Sequence, residues 1–258
     1  MAGTLDHLTP PVQLIACTRA RTEIVRAKAK ESDVAINLER GVPPDGVEVT
    51  RKGSAIITIE VIGRAAHSGL EPEKGRNAVV EASHQAMELG TLANPAKETT
   101  VNVTLIEGGS AINVIPDHAT VKADVRAFTP EEFDRVEDGL RKLATNTVVP
   151  DIKVNASITL NFPPWPRAAS TDALLARAQG VYAEIGRKLT GVAVGSSADV
   201  AFAAETGTPA IYGISMLGGG AHGVEDYADL SSIVPRVYLL ARMLMNLGHT
   251  PLPRPPQG

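Results

Sequence analysis

Four polar side chains stand where this sequence could do chemistry. His222 closes the stretch Leu217-Gly218-Gly219-Gly220-Ala221-His222-Gly223, which follows directly on the apolar run 209–215. Glycines let backbone approach a ligand closely, His222 offers an imidazole, and ligands of α/β sheets bind at the carboxyl ends of strands. Glu39 ends another apolar run, 33–39, and offers a carboxylate in the same kind of position. A phosphate-binding loop is the rival reading, but no Lys-Ser or Lys-Thr follows the glycines and no helix opens there. A plain turn and a ligand site stand level at this point. His67 lies in Gly63-Arg64-Ala65-Ala66-His67-Ser68-Gly69, and Asn113 in the turn 108–116. Residue type alone does not separate these two from a solvated loop histidine and a turn asparagine.

The elements that must position them fall into two patterns. Residues 51–160 read strand, helix, strand, strand, helix, strand, an α+β order that closes into one two-layer domain of ferredoxin-like type. The run 54–62 is β-branched and nearly continuous, as a covered central strand would be. The sequence predicts a helix over 76–92 with Val79, Val80, Met87 and Leu92 facing inward. It predicts strands at 100–107, with Val101, Val103 and Leu105 on one face, and at 119–127, with Val121, Ala123 and Val125 on one face. Thr129 and Pro130 open a second helix, as cap and first-turn residue, with the stripe Phe133, Val136, Leu140, Leu143. A last strand, 152–160, sets Ile152, Val154, Ala156, Ile158 and Leu160 on one side.

Either side of this block, strands and helices alternate, which predicts an α/β domain interrupted by the α+β insert. Before it come a short apolar run at 12–17, a helix at 19–30 and a strand at 33–39, with 41–46 as a connecting loop. The helix carries Arg19, Arg21, Arg26, Lys28 and Lys30, which an acidic chain presents more readily as a solvated face than as a nucleic-acid surface. After it come a proline-rich crossing at 161–168, a helix from Ser170 to about Lys188, and a strand, turn and short helix over 191–207. A strand at 209–215 and a helix over 231–247 follow, the latter with Ile233, Val237, Leu240, Leu244 and Leu247 as its stripe. The boundaries are 1–50 and 161–248 for the α/β part, 51–160 for the insert, and 249–258 for a disordered proline-rich tail.

Composition bounds the function. With 258 residues, two domains are expected. A net charge of −4 gives no reason to invoke nucleic acid or an anionic membrane. Cys17 is the single cysteine, so neither an internal disulfide nor a tetrathiolate zinc site can form. No run approaches the ~20 apolar residues that cross a bilayer, the N-terminus lacks a signal pattern, and a cytoplasmic location is the default. No internal repeat is present.

The runs IGRAAHSGLEPEKGRNAVVEA, TTVNVTLIEGGSAINVIPDHATVKADVR, GGGAHGVEDY and SSIVPRVYLLARML resemble the zinc exopeptidase and amidohydrolase family that includes glutamate carboxypeptidase and acetylornithine deacetylase. The resemblance extends over about 33–247. It implies a catalytic α/β domain with an inserted dimerisation domain, two zinc ions per site, and cleavage of an amide bond next to a free carboxylate. By motif, Glu39 in NLER and His222 in GGGAH match ligands of different metals. His67 in AAHSG matches the histidine that reaches into the partner subunit's site and polarises the scissile carbonyl. Asn113 and Arg126 match substrate-holding positions, Arg126 with a guanidinium suited to a bidentate grip on a carboxylate. The partners implied are a second copy, held through the insert, and a small amino-acid or peptide-like ligand.

The same resemblance implies an upstream His-x-Asp, a metal-bridging aspartate and a Glu-Glu pair that supplies the general base. This sequence has no His-x-Asp, and its only Glu-Glu is Glu131-Glu132 within the insert; Glu39 is followed by Arg40 where the family usually has proline. A catalytic zinc takes about three protein ligands, whereas each metal here would keep a single one. The expectation is therefore a hydrolase relative that lacks the N-terminal catalytic half, binds no stoichiometric zinc and is inactive as this chain. It would act as a non-catalytic dimerising or ligand-binding remnant, or as one half of a split enzyme. Strands such as 209–214 are expected to lack their usual apolar cover.

Overall fold

A computed structural model describes residues 22–220 and 223–252. The apolar run 12–17 with Cys17, the start of the helix expected at 19–30, His222 and residues 253–258 lie outside the described residues. The chain divides into two compact units, Met1–Arg51 with Trp165–Gly258, and Lys52–Pro164.

The first unit opens with α1 (Thr22–Glu31), β1 (Ala35–Ile36), β2 (Arg40–Gly41) and β3 (Gly46–Arg51). The second unit holds β4 (Gly53–Ile62), β5 (Ala66–His67), α2 (Ala78–Leu89), β6 (Thr100–Gly108), β7 (Val114–Ile115), β8 (His118–Ala127), α3 (Pro130–Leu143) and β9 (Lys153–Phe162). The first unit resumes with α4 (Ala169–Ala183), β10 (Thr190–Val194), α5 (Val200–Ala204), β11 (Ala210–Ile211), β12 (Ser215–Gly219), β13 (Tyr227–Asp229) and α6 (Ile233–His249).

In the second unit an antiparallel sheet runs in the order β6-β8-β4-β9, so β6 is an edge strand. Alternation puts Ala55, Ile57, Ile59 and Val61 of β4 beside Val121, Ala123 and Val125 of β8 on one face. That face packs Ala78, Ala82 and Leu89 of α2 and Phe133, Val136 and Leu140 of α3. An antiparallel sheet covered on one side reads as clean alternation, which is why these strands are legible.

Two expected faces are corrected. In α2, Val80 is 50% and Met87 79% exposed, while Glu81 and Gln85 are buried. The Glu81 carboxylate accepts the Val148 and Val149 N–H groups at 2.9 and 3.0 Å and the Gln85 amide at 2.8 Å. Backbone donors of the α3–β9 connection need an acceptor inside, and that need turns the polar pair inward. In β6 the register slips between Val103 and Leu105. Such a bulge breaks the period of two, and Val103 is left 38% exposed while Val101 is buried.

At the start of α3, Thr129 does not cap the backbone. Its hydrogen bond goes to Glu131, which its own backbone N–H and then Thr129 hold below the usual carboxylate range. Glu132 is held down first by Arg135 and then by Thr99 and Asn94. In β9, Val154, Ala156 and Ile158 pack against the core as half-buried residues, and Leu160 is exposed.

In the first unit β3 pairs parallel with β10, β1 with β11, and β12 lies between β2 and β13. The expected 33–39 strand is reduced to Ala35–Ile36, and residues 46–51, for which no element was expected after the 41–46 loop, form β3. Val47, Val49, Leu174, Leu175, Ala178, Tyr182, Ile211, Ile214, Leu239 and Met243 make the core. The expectation that 209–214 lacks cover is corrected, since Ala210, Ile211 and Ile214 are fully buried.

The stripe expected on α6 is corrected in part: Leu240 and Leu247 pack against the core, but Arg236, Leu239 and Met243 are its buried residues, and Ile233, Val237 and Leu244 are exposed, Val237 to 61%. Arg236 donates to the Gly213 and Gly46 carbonyl oxygens at 3.2 and 3.1 Å, which sets the helix face. The tail is not free from 249 on. Arg177 donates to the Thr250 carbonyl at 2.5 Å, and Leu252 is only 8% exposed within the core. No helix among the described residues is long and apolar enough to cross a membrane.

Candidate functional site

His67 ends β5, which pairs with β7 so that His67 faces Val114 and Ala66 faces Ile115. The Ser68 N–H donates to the Asn113 carbonyl at 3.0 Å, bringing the two expected site residues onto adjoining loops. His67 Nδ1 accepts the N–H groups of Gly69 and Leu70, at 3.1 and 3.2 Å. Backbone amides can only donate, so Nδ1 carries no proton and the neutral ring holds its hydrogen on Nε2. The exposed imidazole therefore presents a fixed N–H donor, suited to the oxygen of a carbonyl.

The loop behind His67 is clamped at its base. Arg64 and Arg76 exchange two backbone hydrogen bonds of 3.0 and 2.9 Å. The Arg76 guanidinium donates to the Gly75 and Glu73 carbonyls at 2.8 and 3.2 Å and meets Asp151 at 3.0 Å. Gly75 is required by close approach, because a Cβ there would stand 2.6 Å from Ile115 Cδ1.

Arg126 lies on β8, opposite Ser54 of β4 and Thr100 of β6. Its fork closes on Asp124 with Nε to Oδ1 at 2.7 Å and the second nitrogen to Oδ2 at 2.9 Å. The expected grip on a ligand carboxylate is thus directed, in this structure, at a carboxylate of the same strand. The register also separates Arg126 from His67. Ser54 pairs with Arg126 and Ile62 with His118, and the eight residue steps from Ser54 to Ile62 span roughly 26 Å along the strand. His67 follows beyond Ile62, where the separate β5–β7 pairing joins its loop to that of Asn113, while Arg126 lies at the other end of the four-stranded sheet.

In the first unit Glu39 is exposed in the bend between β1 and β2. Its carbonyl accepts the Ser215 N–H at 3.3 Å and its own N–H donates to Asn37 Oδ1 at 2.7 Å. Arg40 donates to the Gly219 carbonyl at 2.8 Å and to Asp226 at 3.0 Å. The glycine stretch has a conformational reason of its own: Gly220 has φ +71°, and a Cβ there would stand 2.2 Å from the Glu225 carbonyl oxygen. Among the described residues no group of three His, Cys, Asp or Glu side chains is placed to hold a metal ion. Glu39 is the described member of the expected ligand pair, and by itself it does not fit a catalytic zinc, which takes about three ligands.

Sequence reasoning missed a buried charged group beside Glu39. Arg51 meets Glu48 at 2.8 Å, donates to Ser196 Oγ at 2.7 Å and stacks 4.2 Å from the Tyr212 ring centre. Burial pushes the Glu48 carboxyl up against the pull of Arg51. The available signal was a glutamate and an arginine three apart in a β-rich run. It also missed Asp124, which the period of two puts on the face of Arg126.

A model of the peptidase dimerisation domain matches residues 49–151. Carboxypeptidase G2 from a Pseudomonas species is 31% identical over 230 residues, 88% of this chain and 55% of that protein. Hippurate hydrolase from Campylobacter jejuni is 32% identical over 115 residues, 40% of this chain and 30% of the relative. Among solved structures, aminopeptidase PepT from Bacillus cereus gives a TM-score of 0.70 at 19% identity, over 86% of this chain and 61% of that one. A tripeptidase from Staphylococcus aureus gives 0.66 at 18% identity, over 89% and 62%. Likeness at that identity speaks to the fold alone. The chain spans about half the length of carboxypeptidase G2.

Proposed function

We propose, from the premise that this chain belongs to the zinc exopeptidase and amidohydrolase family, that it carries the substrate-recognising part of an amide hydrolase site. The substrate class is an acyl-amino acid or peptide with a free carboxylate next to the scissile amide. His67 donates Nε2–H to the carbonyl oxygen, Asn113 holds the substrate beside it, and Arg126 takes the carboxylate. Glu39 and His222 are the metal-ligand positions that this chain retains. The observation that carries the reading is the pair of amide donors on His67 Nδ1, which commits the imidazole to outward donation.

A homodimer through the insert, read as ferredoxin-like from its β-α-β-β-α-β order, supports the same site. A span of ~26 Å along β4 is too long for one copy to set both His67 and Arg126 on a single amino-acid conjugate. Two copies related by a two-fold axis can bring His67 of one toward Arg126 of the other.

The donor inventory favours a second reading of this chain on its own: a dimerising, ligand-binding module, or one half of a split enzyme, rather than a complete hydrolase. Zinc in the family is the source of a nucleophilic water, and the described residues do not assemble a ligand set for it. The test is to purify the 258-residue chain with zinc present, measure metal content after dialysis, and assay release of glutamate from an N-acyl-glutamate. Metal well below stoichiometry and no turnover are expected. Turnover that a chelator abolishes would overturn the inactive reading and restore hydrolysis as the function of this chain.

A further inference from the structure

We propose that Asp124 is a tethered competitor for the Arg126 fork, so that this position admits a ligand carboxylate only by exchange. The inference rests on Arg126 being a substrate-holding residue and adds a determinant of which ligands it can hold. Asp124 and Arg126 are two residues apart on β8, so both side chains rise from the same face of the sheet. The contact between them uses both carboxylate oxygens, at 2.7 and 2.9 Å. That is the bidentate geometry a ligand carboxylate would adopt on the same fork. Asp124 therefore satisfies Arg126 in the way a substrate would.

Tethering gives Asp124 a standing advantage. A group held two residues away on a rigid strand acts at an effective concentration of roughly millimolar or above. A ligand whose only contact is its carboxylate does not displace it at ordinary concentrations. The pair is also about a third exposed, 32% for each side chain. Exposed ion pairs hold weakly, so a ligand that brings further contacts does displace it. The neighbours supplied by the register fit such a ligand: Thr100 stands beside Arg126, and the exposed Asn102 beside Asp124. The class selected is a carboxylate with a second polar anchor, such as the amide of an N-acyl amino acid, against simple monocarboxylates.

The test is a titration of the full, isotopically labelled chain with N-acetyl-glutamate and with acetate, following the backbone amide resonances of β8 and β6, which every variant keeps. The variants are D124N, which keeps the shape, D124S as a second form, and R126A. Wild type is expected to bind N-acetyl-glutamate weakly and acetate not at all. D124N and D124S should tighten N-acetyl-glutamate at least fivefold and make acetate binding measurable, and R126A should lose both. If R126A loses binding while D124N and D124S bind no better than wild type, Asp124 is only a structural partner. The proposal then falls while the role of Arg126 stands. If R126A binds as well as wild type, or no variant binds, the substrate-holding role of Arg126 fails and the proposal fails with it.

Discussion

The Arg236 guanidinium lies 3.6 Å from the Asp45 carboxylate, deep enough that the arginine keeps only 1% of its surface. Asp45 also accepts the Tyr182 hydroxyl at 2.8 Å and meets Arg187 at 3.2 Å. One carboxylate thus ties α4, α6 and the entry to β3. Burial pulls Arg236 below the usual arginine value, and burial followed by Asp45 pushes the Tyr182 hydroxyl up.

Arg236→Met should destabilise the first unit strongly. It takes the buried arginine donor from the Gly213 and Gly46 carbonyls and the buried counter-charge from Asp45, and removing one partner of a buried pair costs about 3–5 kcal/mol. Urea unfolding followed by Trp165 fluorescence reads this unit. A change below about 1 kcal/mol, the size of an exposed ion pair, would contradict the anchoring role.

Glu132 should mark the acid limb of the second unit. Its folded value is held down, first by Arg135 and then by Thr99, from an ordinary value of 4.5. The group therefore contributes stability that is full above that pH and is lost as pH falls through the lowered folded value. Glu132→Gln should flatten that part of the stability profile and leave the region above pH 6 parallel to wild type, read by thermal melts across the acid range. An unchanged acid limb would remove Glu132 from the account.

The neutral His67 ring should be the Nε2–H tautomer. Long-range nitrogen–proton NMR correlations distinguish the two ring nitrogens. Gly69→Pro, which deletes one of the two donors to Nδ1, should admit the other tautomer in part. A wild-type ring protonated on Nδ1 would remove the basis for outward donation.

Self-association should depend on the β6 edge, which offers backbone for pairing with another chain. Thr104 lies at the register slip and has no Cα partner on β8. Thr104→Pro therefore blocks an outer pairing with little loss of the inner ladder. Sedimentation of wild type at micromolar concentration should give a dimer, and Thr104→Pro should shift it toward monomer with its helices intact. A monomeric wild type would defeat the prediction.

The insert was legible because one buried face imposes a period of two: Ile57, Ile59, Val121, Ala123 and Val125 are buried as the alternation requires. The faces of α2 and α6 were misread in part, at Val80, Met87 and Val237, for one common reason. Glu81 and Arg236 occupy inward positions to satisfy backbone groups of other elements, and hydrophobic spacing carries no record of such demands. The strand β3 was missed because Glu48 and Arg51 look like surface residues until each is seen to be the other's buried counterion. Among the proposed site residues, His67 and Asn113 were singled out by motif, whereas the donors to Nδ1 and the Asp124 partner of Arg126 belong to geometry that motifs do not encode.

The sheet that separates His67 from Arg126 also works as a ruler. Neither group needs the other in order to fold, since one sits in a hairpin loop and the other on the strand face. The length of β4 and β8 fixes the interval between Arg126 and the strand end from which the His67 loop departs. Removing two facing residues from each of these strands would keep every side chain on its own face and shorten the interval by about 7 Å. Any ligand that must touch both groups across two copies would then meet two intact contacts at the wrong spacing. The reach of the site is written in strand length rather than in the identity of the residues that touch the ligand.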